Sequence, residues 1–127
     1  MAPASALASE PSNYAALGGA DGVAQIVSAL LDRSTSDPQT RRTFAKINRP
    51  QLEKRLGQQI CQLSGGGCVY EGESMLLSHG GMKITESEFY GMVEHLREVL
   101  DARSVPLATK NALLAQLAPM KRDIVGH

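Results

Sequence analysis

Apolar residues in this chain recur at intervals of three and four, and they are not arranged in the alternating β-branched and aromatic runs that make strands. The clearest stripe follows Gly18-Gly19, where Val23, Ile26, Val27, Leu30 and Leu31 share one helical face. A second opens near Arg49-Pro50, carries Leu52, Leu56, Ile60 and Leu63, and ends at Ser64-Gly65-Gly66-Gly67. Thr85 followed by Glu88 forms the pattern of a capping box and starts a long helix with Phe89, Met92, Val93, Leu96 and Leu100 inward. The last helix begins at Pro106 and runs through Leu113, Leu114 and Leu117 until Pro119 disturbs it. Shorter pieces are expected after Asp37-Pro38, leading to Phe44, and over Glu73 to Ser78. Stripes of this kind must face one another, so the chain is expected to be all-α.

A length of 127 residues suits one domain, and 43% apolar residues can supply its core. The expected division is a flexible segment over 1–12, rich in Ala, Ser and Pro, and a domain over 13–125. The opening residues lack the basic and apolar stretches of a signal peptide, so a cytoplasmic address is expected, or a periplasmic one if they are the remnant of a cleaved leader. Lys plus Arg and Asp plus Glu both total 13, which gives no general attraction to nucleic acid or to a membrane surface. No apolar run approaches the roughly 20 residues of a membrane span.

Cys61 and Cys68 match neither a C-x-x-C metal pair nor the C-x-x-C-H of covalently attached haem, and are expected to be ordinary thiols. A disulfide would need the Gly65-Gly66-Gly67 turn to bring their Cα atoms within about 7 Å, and would indicate an oxidising compartment. The basic residues Arg33, Arg41, Arg42, Lys46, Arg49, Lys54 and Arg55 read as a solvated surface, with an anion site as the alternative. The sequence has no phosphate-binding glycine loop ending in Lys-Ser or Lys-Thr, no H-E-x-x-H and no G-x-S-x-G.

Three histidines are the candidates for metal or acid–base chemistry. His127 is at the end of the chain and is expected to be disordered. His95 flanks the stripe of the long helix and is expected to be partly exposed or capping. His79 stands where Met75-Leu76-Leu77 gives way to Gly80-Gly81, a pair that permits unusual backbone angles and close approach of a bulky group. Spacing alone favours a turn histidine bonded to backbone.

Taken together, these residues resemble the group I truncated haemoglobins over nearly the whole chain. Tyr14-Ala15-Ala16-Leu17-Gly18-Gly19 is similar to the family's opening motif, and Phe44 stands where the family keeps a phenylalanine against haem. Ser64-Gly65-Gly66-Gly67, Tyr70 and Gly72 resemble its glycine motif and the following G-P-x-x-Y-x-G segment, with Gly67 in place of the proline. Met75 with His79, then Ile84-Thr85 with Phe89, match M-x-x-x-H and I-T-x-x-x-F, in which the histidine holds iron. The resemblance implies a two-over-two helical sandwich around non-covalent haem b, with His79 as the protein ligand to iron.

It further implies haem contacts from Phe44, Leu52, Leu56, Tyr70, Met75, Met82, Phe89 and Val93, with Lys46 and Arg55 as candidates to meet the propionates. A distal pocket of Leu30, Leu31, Leu52, Leu56 and Gln59 is expected. Members that retain oxygen tightly place tyrosine and glutamine where this chain has Leu31 and Leu56, and Gln59 is the polar side chain that could substitute. The implied function is reversible binding of O2, CO or NO in a largely apolar pocket. Alternatives are an NO dioxygenase or peroxidase-like enzyme, or an electron carrier served by a reductase or other redox partner. A monomer or weak dimer is expected.

Overall fold

The computed structural model describes residues 12–127. The leader expected over 1–12 therefore lies outside the described residues except for Ser12, whose hydroxyl accepts from the Ala15 amide at 3.1 Å and caps the first helix. Seven α-helices follow: α1 (Asn13–Ala16), α2 (Gly19–Ser36), α3 (Arg49–Leu63), α4 (Met75–His79), α5 (Glu86–Ala102), α6 (Leu107–Leu117) and α7 (Lys121–Ile124). Single 3₁₀ turns over Arg41–Phe44 and Ala118–Met120 complete the helical part. Among the described residues the only β pairing is an isolated parallel bridge between Ile84 and Val125. The fold is all-α, as the periodicity predicts.

α2 lies against both α3 and α5, and α6 contacts α5 and α3, so two helix pairs form two layers. Their common core is Ile26, Val27, Leu30 and Leu31 of α2, Ile60 of α3, Leu96, Val99 and Leu100 of α5 and Leu113 of α6, all buried. A second, smaller cluster forms under α4, where Ile84, Phe89 and Ile124 gather Met75, Met82, Val93 and Met120. The two clusters flank one cavity.

Local signals account for most helix ends. Asn48 accepts from the Gln51 amide at 3.1 Å with Pro50 in the first turn of α3, and Ser74 accepts from Leu77 at 3.2 Å at the start of α4. Thr85 and Glu88 form both halves of the expected capping box on α5. α2 runs on to Ser36, past the end of its apolar stripe, and in its last turn Thr35 and Ser36 donate their hydroxyls to the Leu31 and Asp32 carbonyls. The piece expected after Pro38 is a 3₁₀ turn rather than an α-helix.

Two expectations are corrected. Cys61 and Cys68 are not free thiols but a disulfide, with Cα atoms 5.7 Å apart across the glycine turn. His127 is not a loose end: its carbonyl accepts from the Gly81 amide at 2.8 Å and its ring bonds the Arg122 carbonyl at 3.1 Å. The Gly126 amide donates to Ile84 at 2.9 Å, so the last residues clasp the segment that follows α4.

Candidate haem cavity

A cavity of about 350 Å³, largely apolar in its walls, opens between α3, α4 and α5. Phe44, Ile47, Leu52 and Leu56 form one side; Met75, Met82, Ile84, Phe89 and Val93 form another; Leu96, Leu117 and Met120 close the inner end. Such a concave apolar space with a few polar groups at its edge is the ordinary form of a cofactor site. The side from α3 offers no hydrogen-bond donor among Leu52, Leu56 and Phe44, and the Thr43 hydroxyl is already donated to the Thr40 carbonyl at 3.0 Å.

His79 is the last residue of α4 and lines this cavity. Its Nδ1 lies 2.9 Å from the Met75 carbonyl and 2.9 Å from Ser78 Oγ. A carbonyl can only accept, so Nδ1 carries the hydrogen, and in the neutral ring the lone pair is then on Nε2. This is the arrangement that orients and polarises a metal-binding imidazole, with the backbone as the partner behind it. The chain turns away directly after, through Gly81 at φ +84°, a left-handed conformation that favours glycine.

The edge of the cavity is polar. Arg55 donates to Gln58 Oε1 at 3.2 Å and lies 3.6 Å from Glu71, and Gln58 Nε2 donates to the same carboxylate at 2.6 Å. Opposite, Arg42 meets Glu88 through two bonds, Nε to Oε2 at 2.8 Å and Nη2 to Oε1 at 2.6 Å. The Arg42 guanidinium, helped by the Thr85 amide and hydroxyl and opposed by burial, draws the Glu88 carboxyl down to about 2. Together with a bond from Gln39 to Ser87 and one from His95 Nε2 to Asp37 at 2.9 Å, this pair fastens residues 37–44 to α5 and so sets the position of Phe44.

The structure brings together Phe44, Leu52, Arg55, Leu56, Gln59, Tyr70, Met75, His79, Met82, Phe89 and Val93 around one space. It does not bring in Leu30 and Leu31, expected in the distal pocket, or Lys46. Leu30 and Leu31 are 1% and 0% exposed inside the helix core, because the face of α2 they share with Ile26 and Val27 is covered by α3 and α5. Lys46 is exposed and outside the cavity wall. Gln59 does line the cavity, but its amide lies 3.6 Å from Met75 Sδ and 3.9 Å from Met120 Sδ, turned toward the sulfur-rich cluster.

His95 is largely buried between Asp37 and Glu98, a structural tie rather than a cap. Of the basic series, Arg33, Arg42, Arg49 and Arg55 each face a carboxylate. Sequence reasoning did not find Ile47, Leu96, Leu117 or Met120. Of these, Leu96 belongs to a recognised stripe, whereas Met120 lies beyond Pro119, where the periodic signal has stopped.

A bacterial-like globin family model matches residues 12–125. Group 1 truncated haemoglobins are among the relatives: one from Mycolicibacterium paratuberculosis is 28% identical over 116 residues, covering 91% of this chain and 85% of that protein. Another, from Nostoc commune, is 26% identical and covers 89% and 96% of the two chains. The fold matches truncated haemoglobin from Tetrahymena pyriformis with a TM-score of 0.86 at 22% identity, covering 92% of this chain and all of that one. It also matches a 2/2 haemoglobin from Synechococcus, solved with covalently attached haem, with a TM-score of 0.84 at 20% identity and the same coverage. With motifs, fold and family model in agreement over the whole domain, this chain belongs to the bacterial-like globin family and has the two-over-two fold of the truncated haemoglobins.

Proposed function

We propose that this protein binds haem b without a covalent link, with His79 as the protein ligand to iron, and takes up diatomic gases reversibly at an apolar site. The residues fit that group. The observation that carries the reading is the His79 ring, whose Nδ1 is spent on the Met75 carbonyl while Nε2 stays free on a residue lining the cavity. Apolar walls from Phe44, Leu52, Met82 and Phe89 suit a porphyrin, and Arg55 at the edge suits its negatively charged propionates.

Haem supplies an iron with a face open to O2, CO or NO, and the rest is done by the chain. Met75 and Ser78 orient the imidazole, while Leu52, Leu56 and Ile47 exclude water. Gln59, the α3 donor on the cavity wall away from its polar edge, is turned toward Met75 and Met120, so oxygen retention is weak, roughly tenfold or more below that of a site with one good donor. Among the described residues no helix is long and apolar enough to cross a membrane. The Cys61–Cys68 bridge argues for an oxidising compartment such as the periplasm over the cytoplasm.

Titrating the purified chain with hemin, then adding dithionite and CO, tests the reading. A haem absorption band that saturates at one equivalent and is lost in His79→Ala is expected. A chain that leaves hemin free in solution overturns it.

A further inference from the structure

Residues 67–73 form the part of the cavity edge least secured by the fold. Among the described residues they take part in no backbone–backbone hydrogen bond, although Gly66 immediately before them donates to the Cys61 carbonyl at 2.8 Å. Yet Tyr70, Gly72 and Glu73 of this segment line the haem cavity. Two ties connect it to α3. One is the Cys61–Cys68 disulfide. The other is polar and exposed: Gln58 receives the Glu71 amide at 3.2 Å and donates to its carboxylate at 2.6 Å, with Arg55 nearby. The Tyr70 hydroxyl bonds only within the segment, to the Glu73 carbonyl at 2.8 Å.

The bridge is accordingly the stronger tie. Its root is firm, since Cys61 is 3% exposed and a Cβ on Gly66 would lie 2.6 Å from Cys61 Sγ and 2.7 Å from the Tyr14 ring. Its other end is less enclosed, since Cys68 is only partly buried and Val69 beside it is 70% exposed.

We propose that the Cys61–Cys68 bond is a redox latch on the haem cavity: a dithiol reductant opens it, frees residues 67–73 and loosens the grip on haem. The inference rests on the haem reading for its consequence and on the loop alone for its mechanism. A thiolate of the reductant attacks the Cys68 sulfur, the less enclosed of the two, the bond to Cys61 breaks, and the Cys61 thiolate takes up a proton. The second thiolate of the reductant then displaces Cys68 from the mixed disulfide, Cys68 takes up a proton, and the reductant leaves as a disulfide. Two electrons and two protons have passed to the protein. The contacts of Glu71 with Gln58 and Arg55 then hold the segment to α3, through exposed groups that water competes for.

The test follows amide hydrogen exchange by mass spectrometry in the full chain, oxidised and after dithiothreitol, beside the double variant Cys61→Ser with Cys68→Ser. Reduction is expected to speed exchange roughly tenfold at the Gly66 and Glu71 amides, which donate to the Cys61 carbonyl and to Gln58, while peptides from α2 and α5 keep their protection. Hemin transfer from the loaded protein to excess apomyoglobin is expected to quicken by a similar factor. The double variant should behave as the reduced protein and ignore dithiothreitol. Unchanged exchange at the Gly66 and Glu71 amides, protection lost throughout the chain, or a transfer rate indifferent to reduction each overturns the latch. A chain that takes up no hemin overturns the haem reading instead, and the exchange measurement still decides whether the loop is released.

Discussion

Leu31 and Leu56 both occupy places where related proteins that hold oxygen tightly are expected to carry a donor, but the structure gives them different surroundings. Leu56 is on the cavity wall, whereas Leu31 is wholly enclosed by the helix core. Leu56→Gln is therefore expected to slow oxygen release about tenfold in stopped-flow mixing, since it adds a donor worth about 1–2 kcal/mol to an apolar site. Leu31→Ala is expected to cost about 2–5 kcal/mol in urea unfolding, by leaving a void in the core, while changing gas release far less than Leu56→Gln does. The place of His79 on the cavity wall was legible in the sequence through an ordered series of motifs, not through its own spacing. The roles of Leu30, Leu31 and Gln59 were not, because periodicity states which face of a helix is covered without stating whether a neighbour or a cavity covers it. For Gln59 the outcome depends on two sulfurs, one of them 61 positions along the chain.

α5 joins helix-end chemistry to the site. Its capping residue Glu88 also takes the two bonds from Arg42 that hold the Phe44 segment, so one carboxylate supports both a helix start and a cavity wall. Its pKa of about 2 lies below the ordinary carboxylate value, so the group stabilises the folded state above pH 4.5, and that contribution is lost as pH falls from 4.5 toward 2. Glu88→Gln is expected to lower stability at pH 7 by about 1–2 kcal/mol, allowing for the exposure of Arg42. It should also flatten the acid limb of a stability–pH curve measured by circular dichroism. The capping box and the proline start of α3 were readable because their partners are within a few residues. The Arg42–Glu88 pair was not, since its members are 46 residues apart and meet only once α2 and α5 have packed.

Across the molecule, two links defied a linear reading for the same reason. The pairing of Cys61 with Cys68 depends on how three glycines turn, and the docking of residues 124–127 depends on where α4 ends. The all-helical class was legible because α2, α3 and α5 carry their stripes openly, whereas the two-over-two layering came from the family resemblance and not from the stripes. Deleting residues 125–127 removes two inter-segment backbone bonds and the Val125 side chain packed near Ile84. A loss of about 2 kcal/mol in thermal unfolding is expected, with the first protection lost around Gly81 to Ile84 on hydrogen exchange. The same clasp bears on how the molecule is made. A nascent polypeptide cannot tie down residues 81–84 until residue 127 has cleared the ribosomal tunnel, so that stretch gains its last backbone partners after the rest of the domain has been made.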